Sequence, residues 1–326
     1  MSICNQKFIQ TFNKLKVDCQ FGFLTPNNVM FYGAKGDGVT DDTAAFQDAS
    51  LSGVNEIFIP SGTYILSATI NIPTRTVFRG QYMGVNIYSS ADIAFNLVGS
   101  FSSLKNIFLF YSGTNLTSSI GVQFNGTQIS QLENVRFGAQ TTNIFAYGIQ
   151  MKATSGSNCN LNQIVNCMVT GYVNALLIDG TLSAAIGNAF YNCNFASVVS
   201  VTNIVVVING RGSAFTSCSL SGTSTNGFNL DTNCSSNTLI NVIELGTITN
   251  LIVDASAGDN LIVEPAGAGV FSAVKAQEYF SSDLKVVGNR GAVVPDATGG
   301  ATVDTQARAA INALLARIRA HGLIAT

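Results

Sequence analysis

The chain has 326 residues, 47% of them apolar and only 10% charged, with a net charge of −2 and a pI near 5.3. That is enough apolar material for one large core. It offers no basic cluster for a nucleic-acid interface and no apolar run of the roughly 18 residues that a membrane helix needs. Charged side chains usually make up about a quarter of a globular protein. Here Gly, Ser, Thr and Asn take their place, as in stiff β-rich proteins that work outside the cell or in a virion rather than in metabolic enzymes.

Residues 1–27 open with "MSICNQKFIQTFNKLK", which lacks the basic-then-apolar order of a signal peptide. Synthesis and folding in a cytoplasm are therefore expected, and "KFIQTFNKLKVDC" reads as a short helix. The seven cysteines are an odd number and form no CxxC pair, which predicts free thiols.

The next segment, "YGAKGDGVTDDTAAFQDAS" (32–50), holds three glycines and a run of acids. Its glycines do not follow GxGxxG, and no Lys-Ser/Thr follows them, so it is not a phosphate loop. A structural reading accounts for the acids. Asp37 lies in a glycine-flanked turn, and Thr40 is expected to cap a helix whose first turn holds Asp41 and Asp42. Ala44, Ala45 and Phe46 would then face an apolar surface. A helix near 41–49 would close the exposed end of a sheet structure.

Between residues 100 and 245 six segments share one pattern: "SSLKNIFL", "SQLENVRF", "NQIVNCMV", "NAFYNCNF", "SAFTSCSL" and "NTLINVIE". The third positions (Leu104, Leu132, Ile164, Phe190, Phe215, Leu239) are expected inside by strand alternation. The fifth positions, Asn106, Asn134, Asn166, Asn192, Ser217 and Asn241, recur every 24 to 32 residues. With an apolar sixth residue after each, they predict a corner in the left-handed conformation that Asn tolerates. Their side chains are expected inward and hydrogen-bonded along the stack. Glu244 alone departs from the pattern. A second register, "IGVQFNG" to "LIVDAS", aligns Asn125, Lys152, Asp179, Asn209, Asp231 and Asp254. Two ladders with a common drift predict a parallel β-helix whose rungs rise by about 4.8 Å. Cys167, Cys193 and Cys218 fill the sixth position of consecutive rungs and read as a stack of small buried hydrophobes. Val165, Met168, Ile240 and Ile243 are expected on the outside.

The only histidine, His321, lies far from the column in sequence, which argues against Ser-His-Asp or Cys-His chemistry on the column and against a histidine-rich metal site. No cofactor or metal is expected. The acids of the column are Asp92, Glu133, Asp179, Asp231, Glu244, Asp254, Asp259 and Glu264. Asp231 and Asp254 occupy matching positions in the second register and are the catalytic candidates. Stacked carboxyls on adjacent rungs would approach the spacing of a retaining glycosidase. The competing reading has each carboxylate bonding its own turn. Toward the end of the chain, residues 302–320 form an amphipathic helix with Ile311, Leu314, Leu315 and Ile318 on one stripe and Gly322 as a stop.

The pair "FYGAKGDGVTDDTAAFQDA" and "IFIPSGTYILS" (57–67) resembles the entry segment of the pectate-lyase-like superfamily of right-handed parallel β-helices, which includes many bacteriophage tailspikes and fibres. The piece from "VGNRGAVVPDATGG" onward resembles the ends of phage tail-fibre proteins. The resemblance implies an all-β chain: an N-terminal virion-attachment segment (1–27), a cap (28–54), a right-handed parallel β-helix (55–266), a linker or β segment (267–301) and a C-terminal trimerisation helix (302–326). It further implies a homotrimer in the virion, joined to other virion proteins through the first segment and made in a host cytoplasm. Its partner would be a host surface glycan or protein, with no nucleic acid and no membrane insertion. Adhesion without catalysis is the expected function. A polysaccharide-degrading tailspike (hydrolase or lyase) and a capsid-attached decoration fibre are the alternatives.

Overall fold

Short apolar runs separated by polar corners can all be satisfied if each turn of the chain stacks on the one before. The structure, a computed structural model, is built this way. It describes residues 27–263 apart from 82–83, 139–143, 172 and 257–259, together with 279–281, 284–287 and 305–320. The expected attachment segment before residue 27 lies outside the described residues. Three parallel sheets run along the column. Sheet A has nine strands, from Glu56–Ile59 to Leu261–Val263. Sheet B has nine, from Asp37–Asp41 to Ile243–Glu244. Sheet C has eight, from Ile70–Ile72 to Thr247–Asp254. The chain visits C, A and B in turn, giving a right-handed parallel β-helix of about nine turns. A fourth, three-stranded sheet D (Cys159–Asn160, Ala185–Ile186, Gly210–Arg211) precedes sheet A in three consecutive turns.

The core is a set of vertical stacks. Leu104, Leu132, Ile164, Phe190, Phe215 and Leu239 pair in register and are fully buried. The Phe190 and Phe215 rings lie 4.4 Å apart and 2° from parallel, close to the rung spacing itself. Phe228 closes on Phe215 edge-on at 4.9 Å.

The corner between sheets A and B is left-handed on six successive rungs, with φ of 52° to 57° at Asn106, Asn134, Asn166, Asn192, Ser217 and Asn241. Each corner N–H still points along the axis: Asn106 donates to Glu133 O at 3.0 Å and Asn192 to Thr216 O at 3.1 Å. The expected inward direction of these side chains is not what the fold adopts. They are half-buried or exposed, because the left-handed residue swings its side chain to the outside of the bend while the sixth residue turns in. Along the outside they bond as expected, Asn134 Nδ2 to Asn106 Oδ1 and Asn192 Nδ2 to Asn166 Oδ1, both at 2.9 Å.

The inward polar ladder is a different one. Ser102, Ser130, Asn162, Asn188, Ser213 and Asn237, the first positions of the repeat, are at most 1% exposed. Ser130 N–H donates to Asn162 Oδ1 at 2.9 Å, and Asn162 N–H to Asn188 Oδ1 at 3.1 Å. Just before them stand Phe101, Ile129 and Leu161, left-handed at φ 56° to 61° and about half exposed.

At the start of the column the cap helix, α1, spans Thr43–Leu51, not 41–49, and Thr40 belongs to the strand Asp37–Asp41. The three acids hold backbone instead of filling a first helical turn. Asp37 accepts from the N–H groups of Val39 and Thr40 and from Thr40 Oγ1; those bonds hold its carboxyl down at about 2. Asp41 accepts from Thr43 N–H and Oγ1 and from Ser67 Oγ. Asp42 is the N-cap residue; its carboxylate takes Lys35 N–H at 2.6 Å and Gly36 N–H at 3.2 Å, tying the glycine turn to the helix. Burial pushes Asp42 upward despite these donors. Phe46 then seals the first rung against Tyr64 and Phe78.

The second register also needs correction. Lys152 pairs with Asn125 and with Asp179, but Asp179 pairs with Ile208 rather than Asn209, and Asp254 pairs with Leu230 rather than Asp231. The two candidate carboxylates are therefore one position out of step. Glu244, which broke the repeat, pairs with Leu220 on the last strand of sheet B, where its side chain reaches water.

Residues 269–326 form a separate unit. It holds an antiparallel pair, Tyr279–Ser281 with Leu284–Val287, and helix α2, Thr305–Ala320. On that helix Ile311 and Leu314 are exposed and Leu315 and Ile318 half-buried.

The two polar ladders respond differently to substitution. Replacing Asn188 by Leu strips an acceptor from Asn162 N–H inside the column and is expected to cost about 1–3 kcal/mol. Replacing the outer Asn192 by Gly keeps the left-handed corner and is expected to cost less than about 1 kcal/mol. Urea unfolding of the two variants measures the difference.

Candidate binding groove

A groove of about 530 Å³ follows the left-handed corner. Asn106, Asn134, Asn166 and Asn192 form its floor, and Phe108, Arg136, Met168, Asn194 and Ser219 line the sheet B side. That side is one vertical row, since Phe108, Arg136, Met168, Asn194 and Ser219 are successive register partners. The Arg136 guanidinium lies over the Phe108 ring at 5.8 Å, an arrangement in which the ring face attracts the cation. Asn194 Nδ2 donates to Ser219 Oγ at 2.7 Å. Among the described residues its lining offers amides, a hydroxyl, a thioether, two thiols and one cation, without a carboxylate. Such a surface can hydrogen-bond a polar chain at rung intervals. The repeat identified the Asn floor; the Phe108–Arg136 wall is its seventh position, where the residue type varies and gave no chemical signal.

Sheet C carries further amide rows on its outer side. Asn96 bonds Asn71 at 3.0 Å, Gln123 bonds Gln150 at 2.6 Å, and Asn203, Asn226 and Asn250 form a chain with bonds of 2.9 and 3.0 Å.

The acids are occupied locally. Asp92 accepts from Asn115 Nδ2 at 2.9 Å, and Glu133 pairs with Lys105 at 2.9 Å. Asp179 accepts from Thr181 N–H and Oγ1, and Glu244 accepts from Ile248 N–H at 3.2 Å. Asp231 accepts from Asn209 N–H at 3.0 Å and Asn233 N–H at 3.1 Å. Asp254 accepts from Ser256 N–H and Oγ and from Asn260 Nδ2. Asp254 thus braces its own turn, as Asx residues do, Asp231 braces its own turn and ties it to Asn209 on the rung before, and neither lines the groove. Asp259 and Glu264 lie outside the described residues. Among the described residues no cluster of three His, Cys, Asp or Glu side chains could hold a metal ion.

Cys167, Cys193 and Cys218 stand behind the groove floor, buried and unbridged. Each Sγ donates to main-chain carbonyls of its own or the preceding rung, as Cys193 does to Tyr191 O at 3.3 Å and Ile164 O at 3.4 Å. The neighbouring Cys167 thiol pushes Cys193 up to about 12, and Cys193 in turn pushes Cys218 upward. Burial pushes Cys159 up to about 12 and Cys234 to about 11.

Comparison with known proteins agrees with this geometry. The family described as rhamnogalacturonase A/epimerase, pectate lyase-like, matches residues 27–229. The pre-neck appendage protein of Bacillus phage phi29 is 46% identical over 72 residues, covering 22% of this chain and 8% of that protein; the chain thus matches less than a tenth of that relative's length. Among solved structures, the pre-mature bacteriophage phi29 gene product 12 aligns with a TM-score of 0.56 at 16% identity, over 78% of this chain and 38% of that one. The gp42 tailspike of Acinetobacter phage vb_AbaP_AS12 aligns at 0.50 and 11% identity, over 67% and 45%. At these identities the solved structures speak to the fold.

The thiols give a direct check on the core. A shift from 9.0 to about 12 leaves Cys159 with about a thousandfold less thiolate than an ordinary cysteine. Alkylation followed by mass spectrometry is expected to leave Cys159, Cys167, Cys193, Cys218 and Cys234 unmodified in the native protein. All five are expected to be modified, with no bridge among them, after unfolding without reductant.

Proposed function

This chain belongs to the rhamnogalacturonase A/epimerase, pectate lyase-like family, and we propose that within it the chain serves as a bacteriophage appendage that adheres to the host surface without cleaving it. The observation that carries this reading is the chemistry of the column. Its groove is lined mainly by amides, with one arginine, while Asp92, Glu133, Asp179, Asp231, Glu244 and Asp254 are engaged with groups of their own or a neighbouring turn. Hydrolysis needs paired acids held across a bond with one of them protonated. Binding needs only donors and acceptors in register. The 46% identity of one stretch to a phage pre-neck appendage protein supports a virion location.

The working form in this proposal is a parallel homotrimer. Ile240 and Ile243 are exposed on the last rungs at 37% and 42%, and Ile311 and Leu314 are exposed on α2. A neighbouring copy would cover both sets, and Ile311, Leu314, Leu315 and Ile318 follow the spacing of a helical bundle stripe. Residues 1–27 would join the other virion proteins. Three identical weak sites then act together on a host glycan or protein, so that avidity exceeds the affinity of any one.

Two measurements test this. Light scattering is expected to give three copies of the 34.2 kDa chain; a monodisperse monomer at micromolar concentration refutes the trimer. Incubation with host capsule and lipopolysaccharide, followed by sizing of the products, is expected to show binding without release of oligosaccharides. Fragments that disappear in Asp231→Asn or Asp254→Asn would instead make the protein a depolymerase.

A further inference from the structure

The buried Ser/Asn ladder obeys one rule from rung to rung. The main-chain N–H of one member donates to the side chain of the next: Ser130 to Asn162, Asn162 to Asn188, Ser213 to Asn237 and Asn237 to Asn260, at 2.9 to 3.1 Å. Each asparagine also donates its Nδ2 back to a carbonyl of the preceding rung. Asn162 reaches Thr127 O at 3.0 Å, Asn188 reaches Cys159 O at 2.9 Å, and Asn237 reaches Gly210 O at 2.9 Å.

Ser213 interrupts the rule. It stands between Asn188 and Asn237, carries a hydroxyl in place of an amide, and is 0% exposed. Its Oγ meets no hydrogen-bond partner among the described residues. Sheet D pairs Cys159 with Ala185 and Ala185 with Gly210. By that register, Ala185 O is the carbonyl that an amide at position 213 would reach, and Asn188 N–H is the donor that would face it. Ser130 follows the rule with a hydroxyl, accepting Ser102 N–H at 3.2 Å and donating to Gly99 O at 3.3 Å, with the Ser102 hydroxyl 3.1 Å away; Ser213 Oγ makes neither bond.

We propose that a single buried water molecule stands in for the missing amide at Ser213, bonded to Ser213 Oγ, Ala185 O and Asn188 N–H. A serine in place of an asparagine leaves room on the order of one water, ~30 Å³, and three converging polar groups are what a buried water typically holds. The alternative, a hydroxyl left unpaired inside the column, is the arrangement that native interiors avoid. The water would make the ladder continuous through all of its rungs.

Crystal structures of the whole chain and of Ser213→Asn, with thermal unfolding of both, test this. The expected result is a water about 3 Å from Ser213 Oγ. In Ser213→Asn the new side chain is expected to displace it and bond Ala185 O and Asn188 N–H, with Tm raised by roughly 2–4 °C. A Ser213 hydroxyl bonded directly to a protein group, with no water beside it, overturns the proposal. So does a Ser213→Asn variant whose amide turns away and whose Tm falls. Should that variant not fold, Ser213→Ala is expected to lower Tm by removing one of the water's partners; an unchanged Tm overturns the proposal as well.

Discussion

Everything in the column follows from the direction of its backbone hydrogen bonds. Parallel strands wound into a coil pair only with the turns before and after, so each N–H and C=O must point along the axis even where the chain bends. A left-handed residue meets that demand at the corner between sheets A and B. Asn106, Asn134, Asn166, Asn192, Ser217 and Asn241 all adopt it while donating to the next rung. A left-handed Asn is cheaper than most residues there because its short amide tolerates the conformation, and stacking those amides costs nothing in desolvation when they lie at the surface. The outer ladder is thus a consequence of backbone geometry, and the groove inherits its amide floor from it.

Inside the column the same demand has a second solution. The buried Ser/Asn positions give the N–H groups at the entry to sheet A an acceptor where the coil bends again. Aromatic stacks fill the space between, so the interior is apolar with one polar seam. The chemistry of the surface is correspondingly quiet. Carboxylates close turns, the described cysteines are buried, and the guanidinium of the groove rests on an aromatic ring. These features hold a surface in place.

Much of this was legible in the residues. Period-two alternation located the inward stack from Leu104 to Leu239, and recurrent Asn before an apolar residue located the corners. Side-chain direction at the corner was not legible, because alternation assumes extended backbone and a left-handed residue breaks it. The inner ladder was present in the repeat as its first position. Alternation puts that position on the same face as the buried third residue, yet Ser and Asn read as surface types. Register failed where the pattern is silent. In "NIVVVING" Ile204 and Val205 are both fully buried, so a continuous apolar run carries no phase, and Asn209 and Asp254 were each placed one residue out. The cap helix was displaced because an Asp that accepts backbone N–H groups from a preceding turn looks, in sequence, like an Asp in a first helical turn. The Phe108–Arg136 wall is the seventh position of the same repeat, but its residue type changes from rung to rung, so no one side chain marked it as a site.

The axial alignment of the hydrogen bonds also decides how the column bears force. In a sheet pulled at one edge, bonds open in succession, as in a zipper. Tension along this axis instead falls on all the bonds between two neighbouring coils at once, on sheets A, B and C together. They share the load, and a break requires them to fail together. Transverse load meets a closed section filled with stacked rings. The vulnerable place is then the opening of the first coil, which lacks a preceding coil among the described residues. There the Asp42 carboxylate and the Phe46 ring fasten α1 over the opening.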